Sequence, residues 1–339
     1  MFTVPCTILA IESSCDDTSA AIIKDGNVLS NIVATQEIHR KYGGVVPELA
    51  SRAHQQNIVP VVQTALDKAN IGKNELTAVA YTKGPGLLGS LLVGCSFAKS
   101  LALAFNIPLI GVDHMQAHVL AHFIDDPKPS FPFLCLTVSG GHTQIVLVES
   151  ALKMKVLGTT IDDAVGEAFD KAAKMLELPY PGGPLVDKYA QSGNQLAYKF
   201  SKTIVEGLDF SFSGIKTSIL YFLKDKKAEQ ADFIQNNLAD ICASIQHSLI
   251  NMLVDKLLKA VEQTGIKQVA IAGGVSANSG LRLRMNKLSE DKGLEVFIPK
   301  LEYCTDNAGM IAMAAHFKFQ EGIFEELSSG PNPRLSSFV

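Results

Sequence analysis

Two histidines four residues apart, His114 and His118, have the residue type and spacing to do metal chemistry. On a helix, positions i and i+4 share a face with Cβ atoms roughly 6 Å apart, close enough for two imidazoles to grip one ion. The pair follows an apolar run, residues 107–112, that reads as a buried strand. A strand end that opens into a helix is where open α/β sheets place their ligands. His122, one turn further along, shares the face but lies too far for the same ion. The plainer alternative is two ordinary helix histidines, and spacing leaves both readings open.

The elements that must hold such a site begin with composition. A chain of 339 residues with 47% hydrophobic content suggests about two domains with sizeable cores. A formal charge of −4 gives no global basic field, so RNA contact needs a local basic patch or a basic partner. Six cysteines (Cys6, Cys15, Cys95, Cys135, Cys242, Cys304) contain no Cys-x-x-Cys pair, which argues against a zinc ribbon or a disulfide framework. Reduced thiols in a cytoplasmic protein are the expectation. The N-terminus reaches an acidic turn within a dozen residues, unlike a signal peptide. Residues 87–105 are apolar but broken by Gly89, Gly94 and Lys99, so they read as a buried helix and not a membrane span.

Along the chain, residues 8–11 read as a strand that ends in the polar turn 12–18 and resumes at 20–23 and 28–33. Asp16 and Asp17 in that turn could act as a base, contact a metal-bound phosphate, or simply favour the turn. Residues 48–70 read as a helix, with Pro60 marking a kink or a new start. In the helix 87–105, Gly89, Ser90, Gly94 and Ser96 suit close approach by another helix, from this chain or a partner. Residues 124–133, with three prolines, read as a linker. The opening pattern then returns: apolar 134–138, the turn Ser139 to Thr143, and apolar 145–148, with Thr143 placed as Thr18 was. This predicts an α/β protein of two related domains, each opening with a β-hairpin. Residues 162–178 and 215–223 read as helices, 224–230 as a charged connection, and 233–261 as a long core helix. A strand at 269–272, Gly273-Gly274 and a helix from Ser279 make an anion platform. Asn278 either contacts a base or ribose there or caps its helix. Asp306 precedes the helix 310–319 as an acid near its N-cap or as a metal ligand, and the tail after Leu327 is expected to fray.

Taken together, residues 12–18, His114 with His118, 138–143, 166–171, 180–184, 209–214, 273–278 and 304–307 resemble, in order, the bacterial branch of the TsaD family. Those are tRNA N6-adenosine threonylcarbamoyltransferases, once labelled O-sialoglycoprotein endopeptidases. The resemblance runs from about Leu9 to Phe317. It implies the ASKHA (actin/hexokinase-like) fold, two RNase H-like domains around a central cleft. The domains would be residues 1–130 and 131–307, the second with the adenylate site, a helix at about 308–325 packing back on the first, and a tail at 326–339.

The resemblance further implies that His114, His118 and Asp306 hold one metal ion, iron in preference to zinc. It places Thr137, Val138, Ser139, Gly140, Gly141, Asp170, Gly183, Asp187 and Asn278 around L-threonylcarbamoyladenylate. Glu12, Asp16 and Asp17 are the candidate catalytic acids, with Asp16 or Asp17 either taking the amine proton or shaping the acceptor pocket. The acceptor would be the adenosine 3′ of the anticodon in tRNAs reading codons that begin with adenine. Implied partners are a TsaB-like paralogue and a TsaE-like ATPase, with no membrane. Helix 87–105, through Leu91, and its neighbour 48–70 are the expected TsaB contact. Asp17 stands where many members have Glu, and Thr137 where archaeal and eukaryotic relatives have a metal-binding Tyr. Two rivals remain. A metallopeptidase lacks support because no Glu follows His114 as general base. A sugar-kinase-like or actin-like ATPase is compatible with the fold, because fold does not fix function.

Overall fold

Apolar runs bounded by turns become strands here, and the strands assemble into two five-stranded sheets on one plan. The computed structural model describes residues 4–338. In chain order the principal elements are β1 (Thr7–Glu12), β2 (Asp17–Lys24), β3 (Asn27–Thr35), α1 (Pro47–Ala69), β4 (Ala78–Gly84), α2 (Leu88–Phe105), β5 (Leu109–Asp113) and α3 (His114–Leu120). Then come β6 (Phe133–Val138), β7 (Thr143–Ser150), β8 (Lys153–Thr159), α4 (Val165–Met175), α5 (Gly182–Ala190), α6 (Ser213–Glu229) and α7 (Phe233–Thr264). The chain continues with β9 (Gln268–Ala272), α8 (Ser279–Lys292), β10 (Glu295–Phe297) and α9 (Ala308–Gln320).

The first sheet runs β3-β2-β1-β4-β5, with β1–β2 and β2–β3 antiparallel and β1–β4 and β4–β5 parallel. The second runs β10-β9-β6-β7-β8, with β6–β7 antiparallel and β6–β9 and β9–β10 parallel. Each opens with a hairpin, so the repeated strand–turn–strand pattern is a repeat of topology. One compact unit holds the described residues through Pro129, Ser150–Met154 and those from Pro299 onward; the other holds Ser130–Glu149 and Lys155–Ile298. Asp306 and α9 therefore belong to the first unit.

In the first unit, period-2 alternation sends Leu9, Ile11, Ala20 and Ile22 into one core with Ile58, Val62 and Leu66 of α1 and Cys95, Ala98 and Ala102 of α2. α1 runs unbroken through Pro60, which starts no new helix. α2 is long and apolar enough, by length and composition, to cross a membrane. One face of it packs inside the unit: a Cβ on Gly94 would collide with Ser13 Oγ, and one on Gly89 would press on Ser51. Leu91 is fully buried on that inner face and cannot meet a partner. The outward apolar residues are Leu88, Leu92 and Leu103.

In the second unit, α6 continues through the stretch expected to be a charged connection. Lys226 pairs with Glu229 and Lys227 with Glu177, and Lys, Glu and Ala are good helix formers. α7 is the long core helix, with non-helical backbone at Asn237.

The tail does not fray. Asn332 N–H donates to Lys83 O at 2.7 Å, Gly86 N–H to Pro333 O at 3.2 Å, and Ser337 Oγ to Asp113 Oδ1 at 2.9 Å. Phe338 is buried. Proline and glycine here set a path along β4, with chain ordering offset by hydrogen bonds that residue types alone do not announce. A Cβ at Gly84 would run into the Asn332 carbonyl, whereas one at Gly44 would meet nothing within 4 Å. Gly84→Ala should therefore cost about 1–3 kcal/mol in chemical denaturation. Gly44→Ala should stay within about 0.5 kcal/mol of the parent. Equal midpoints for the two would mean that the tail is not held against β4.

Candidate active site

The two histidines are placed by a short helix that begins where β5 ends. Asp113 closes β5 and caps α3, its Oδ1 accepting from Met115 N–H at 2.8 Å and Gln116 N–H at 3.0 Å. The first turn of α3 then presents His114 and His118 on one face, rings perpendicular with centroids 4.7 Å apart. Asp306 reaches them from just before α9. That helix start is pinned to the first sheet: Ala308 N–H donates to Ser19 Oγ at 2.8 Å and Gly309 N–H to Asn31 Oδ1 at 3.0 Å, while Asn307 caps the helix. Asp306 Oδ1 lies 3.3 Å from His114 Nε2 and 3.2 Å from His118 Nε2.

One donor atom from each of His114, His118 and Asp306 fits within 4.8 Å, and His122 lies outside the group. Two imidazoles and a carboxylate suit iron(II) or zinc, and three protein donors leave positions open for a ligand. The Asp306 side chain keeps 29% of its surface exposed, against 11% for His114 and 1% for His118, so the opening lies on the side of the carboxylate.

Glu12 sits beneath this group rather than in its mouth. It is wholly buried at the end of β1, accepting from Ser14 N–H and from Thr82 Oγ1 at 2.6 Å, with Oε2 3.1 Å from His114 Nδ1. A carboxylate on Nδ1–H fixes the tautomer and leaves Nε2 as the coordinating atom. Expected as a catalytic acid, Glu12 is placed to orient His114 and touches no solvent.

Burial works against charge throughout, but the partners decide the outcome. Asp306 and Glu12, on opposite sides of the ring, outweigh burial and hold the His114 pKa well above its usual 6.5. The same ring pulls Asp306 and Glu12 below their ordinary values despite burial. For His118 burial wins, and its pKa falls. Asp17, at the start of β2, is pushed up to about 7 by burial and then by the charges of Asp306 and Asp16, and its Oδ1 is buried without a hydrogen bond. Asp16 is partly exposed in the same turn. Burial also raises the Cys15 thiol far from reactivity.

The second unit contains a cavity of about 340 Å³ lined by Gly140, Asp170, Gly183, Asp187, Gly274 and Asn278, among others. That is a small-ligand volume. Space is open above Gly140 and Gly274, so a ligand can lie against backbone there. The polar side chains shape this cavity by bonds of their own. Asp170 Oδ1 accepts from Gly182 and Gly183 N–H, each at 2.9 Å, fixing the Pro-Gly-Gly turn. Asp187 accepts from Ser279 N–H at 2.9 Å and Ser279 Oγ at 2.7 Å, tying α5 to the start of α8. Asn278 caps α8 through Leu281 N–H and donates to Gln246 Oε1 at 2.7 Å, so of its two readings the cap is the one formed. Thr137 and Val138 are buried in β6, outside the lining, with Thr137 Oγ1 donating to Gln144 O at 3.3 Å. Ser139 and Gly141 lie in the turn beside the cavity, and Ser139 Oγ accepts from His142 N–H. Sequence reasoning missed Gly166, Phe169 and Val275 in the lining, though all three lie in quoted motifs.

Solved structures with this architecture include full-length HypF in its phosphate- and nucleotide-bound form. It matches with TM-score 0.62 at 13% identity, over 94% of this chain and 47% of that one. Component A of (R)-2-hydroxyglutaryl-CoA dehydratase from Acidaminococcus fermentans matches with TM-score 0.51 at 14% identity, over 93% and 99%. At such identities the likeness concerns fold alone, and with the twin sheets it defines an α/β protein of the ASKHA class. The family model described as TsaD, tRNA N6-adenosine threonylcarbamoyltransferase, matches residues 27–313. A curated protein of that name from Cytophaga hutchinsonii is 62% identical, covering 97% of this chain and 96% of its own. One from Clostridioides difficile is 48% identical, covering 96% and 97%. The chain belongs to the TsaD family.

The electrostatics give a direct test of the donor group. With His114 held protonated between two carboxylates, a metal taking its Nε2 must displace a proton, while Nδ1–H stays on Glu12. Zinc titration calorimetry of metal-free protein near pH 7, in buffers of different ionisation heat, should show release of about one proton per ion. Affinity should weaken as pH falls. Zinc binding without proton release would contradict the assigned protonation of His114.

Proposed function

We propose that this chain transfers the threonylcarbamoyl group of L-threonylcarbamoyladenylate to the N6 amine of the adenosine 3′ of the anticodon, in tRNAs reading codons that begin with adenine, releasing AMP. The observation that carries the reading is the convergence of His114, His118 and Asp306 within a chain that matches this family almost throughout. A peptidase reading gains nothing from the structure: of the two carboxylates at His114, Glu12 is buried and Asp306 belongs to the donor group.

His114, His118 and Asp306 would hold the ion, iron(II) in preference to zinc. When bound, that ion supplies a Lewis acid for negative charge that develops as AMP leaves. The chain's own residues do the rest. Glu12 holds His114 in one tautomer. Gly140, Gly183 and Gly274 let the adenylate lie against backbone, in a cavity kept in shape by Asp170, Asp187 and Asn278. Of the two turn acids, Asp17 is the better base for the N6 proton. Burial, the first cause of its raised pKa, favours a proton-accepting carboxylate there near neutrality.

Reconstitution with threonylcarbamoyladenylate and unmodified tRNA, followed by nucleoside mass analysis, tests this. Glu12→Gln should keep the fold and lower metal affinity about 10–100-fold. His114→Ala and His118→Ala should lose both metal and transfer, and Asp17→Asn should lose transfer while retaining metal. A metal-free His114→Ala/His118→Ala protein with full transfer would overturn the assignment.

For a TsaB-like partner we propose the outward face of α2, where Leu88 and Leu92 are 53% and 45% exposed, with Val59 of α1. Leu92→Arg should abolish co-purification with such a partner without lowering the melting temperature. An unchanged complex would remove this face from consideration. A TsaE-like ATPase completes the proposed set, acting with the chain in the cytoplasm.

A further inference from the structure

A second cavity in the same unit shares no lining residue with the first. It measures about 360 Å³ and lies between α7 and α8, beside the end of α5. Arg284 and Lys287, three apart on α8, both line it, and among the described residues neither has an ion-pair partner. On the α7 side are Gln246, His247 and Asn251.

Donors outnumber acceptors there, although the amide oxygens of Gln195 and Asn251 also belong to lining residues. Asn251 Nδ2 donates to His247 Nε2 at 2.9 Å, which leaves the His247 proton on Nδ1. Burial, and then the Arg284 charge, lower the His247 pKa, so the ring is neutral at pH 7. Gln246 is buried, and its Oε1 is taken by Asn278, so its Nε2 remains as donor. That nitrogen lies against Gly280, where a Cβ would meet it at 2.5 Å. No carboxylate lines the cavity. A guanidinium, an ammonium, an imidazole N–H and an amide N–H, with no carboxylate beside them, suit an acceptor-rich anion such as phosphate.

We propose that this cavity is a phosphate-binding site, distinct from the adenylate cavity. The phosphate could belong to a small free anion or to the backbone of an RNA substrate. In a chain with net charge −4, unpaired cations gathered in one pocket are the local basic feature that RNA contact requires.

The test reads the site itself. Full-length protein is treated with phenylglyoxal, and modification of each arginine is followed by peptide mass analysis, in chloride or in inorganic phosphate at equal ionic strength. Phosphate should slow modification of Arg284 several-fold and leave Arg52, exposed on α1, unchanged. Unmodified tRNA is then the second probe. Protection of Arg284 by tRNA, with a salt dependence of tRNA binding that drops by about one or two in slope for Arg284→Gln/Lys287→Gln, identifies an RNA phosphodiester as the source. Protection by phosphate alone identifies a small anion. Protection by neither probe, or equal protection of Arg52, overturns the proposal.

Discussion

A carboxylate with no access to solvent lies under the helix that carries His114 and His118, and much of the first unit is arranged to keep it charged. Glu12 accepts hydrogen bonds from a backbone amide, a threonine hydroxyl and the His114 ring. A buried charge with fewer partners would be too costly to maintain. The consequence is directional. Because Glu12 ends β1 and Thr82 lies in β4, the orientation of one imidazole is set by the centre of the sheet and not by the flexibility of α3. Asp306 is fixed in the same manner from the other side, through Ser19 of β2 and Asn31 of β3. Donors from distant parts of the sequence thus refer to one rigid surface.

The second unit solves a different problem with similar means. Its cavity leaves backbone bare, with open space above Gly140 and Gly274. The acids and amide nearby spend their hydrogen bonds on holding turns and helix starts in place. Asp170 fixes a Gly-Gly turn, Asp187 joins two helices, and Asn278 ends in a bond to Gln246. Polar residues that line the cavity thus also hold its shape.

Much of this was legible from local patterns. Alternating apolar runs gave the strands, the recurring strand–turn–strand segment gave the twin plan, and a four-residue spacing gave the histidine pair. What stayed hidden depends on partners far apart in sequence. Nothing local says that Glu12 will lie beneath His114, or that a Gly- and Pro-bearing tail will thread along β4 and bond to the residue that caps α3. The inner and outer faces of α2 were also unreadable, since that helix is apolar nearly all round and periodicity fails when both sides qualify. Leu91 and Leu92 are neighbours with opposite fates. The stretch 224–230 misled because charge was read as loop, although its residues favour helix.

The first unit is discontinuous, and this bears on how the molecule is made. All five strands of its sheet have been synthesised by Asp113, but the carboxylate that meets His118 follows 188 residues after it. Between the two the whole second unit is synthesised. A nascent chain therefore carries an unfinished lobe, with the sheet face that α9 will cover still bare and two imidazoles lacking their third companion. The three-donor group is therefore complete only near the end of synthesis.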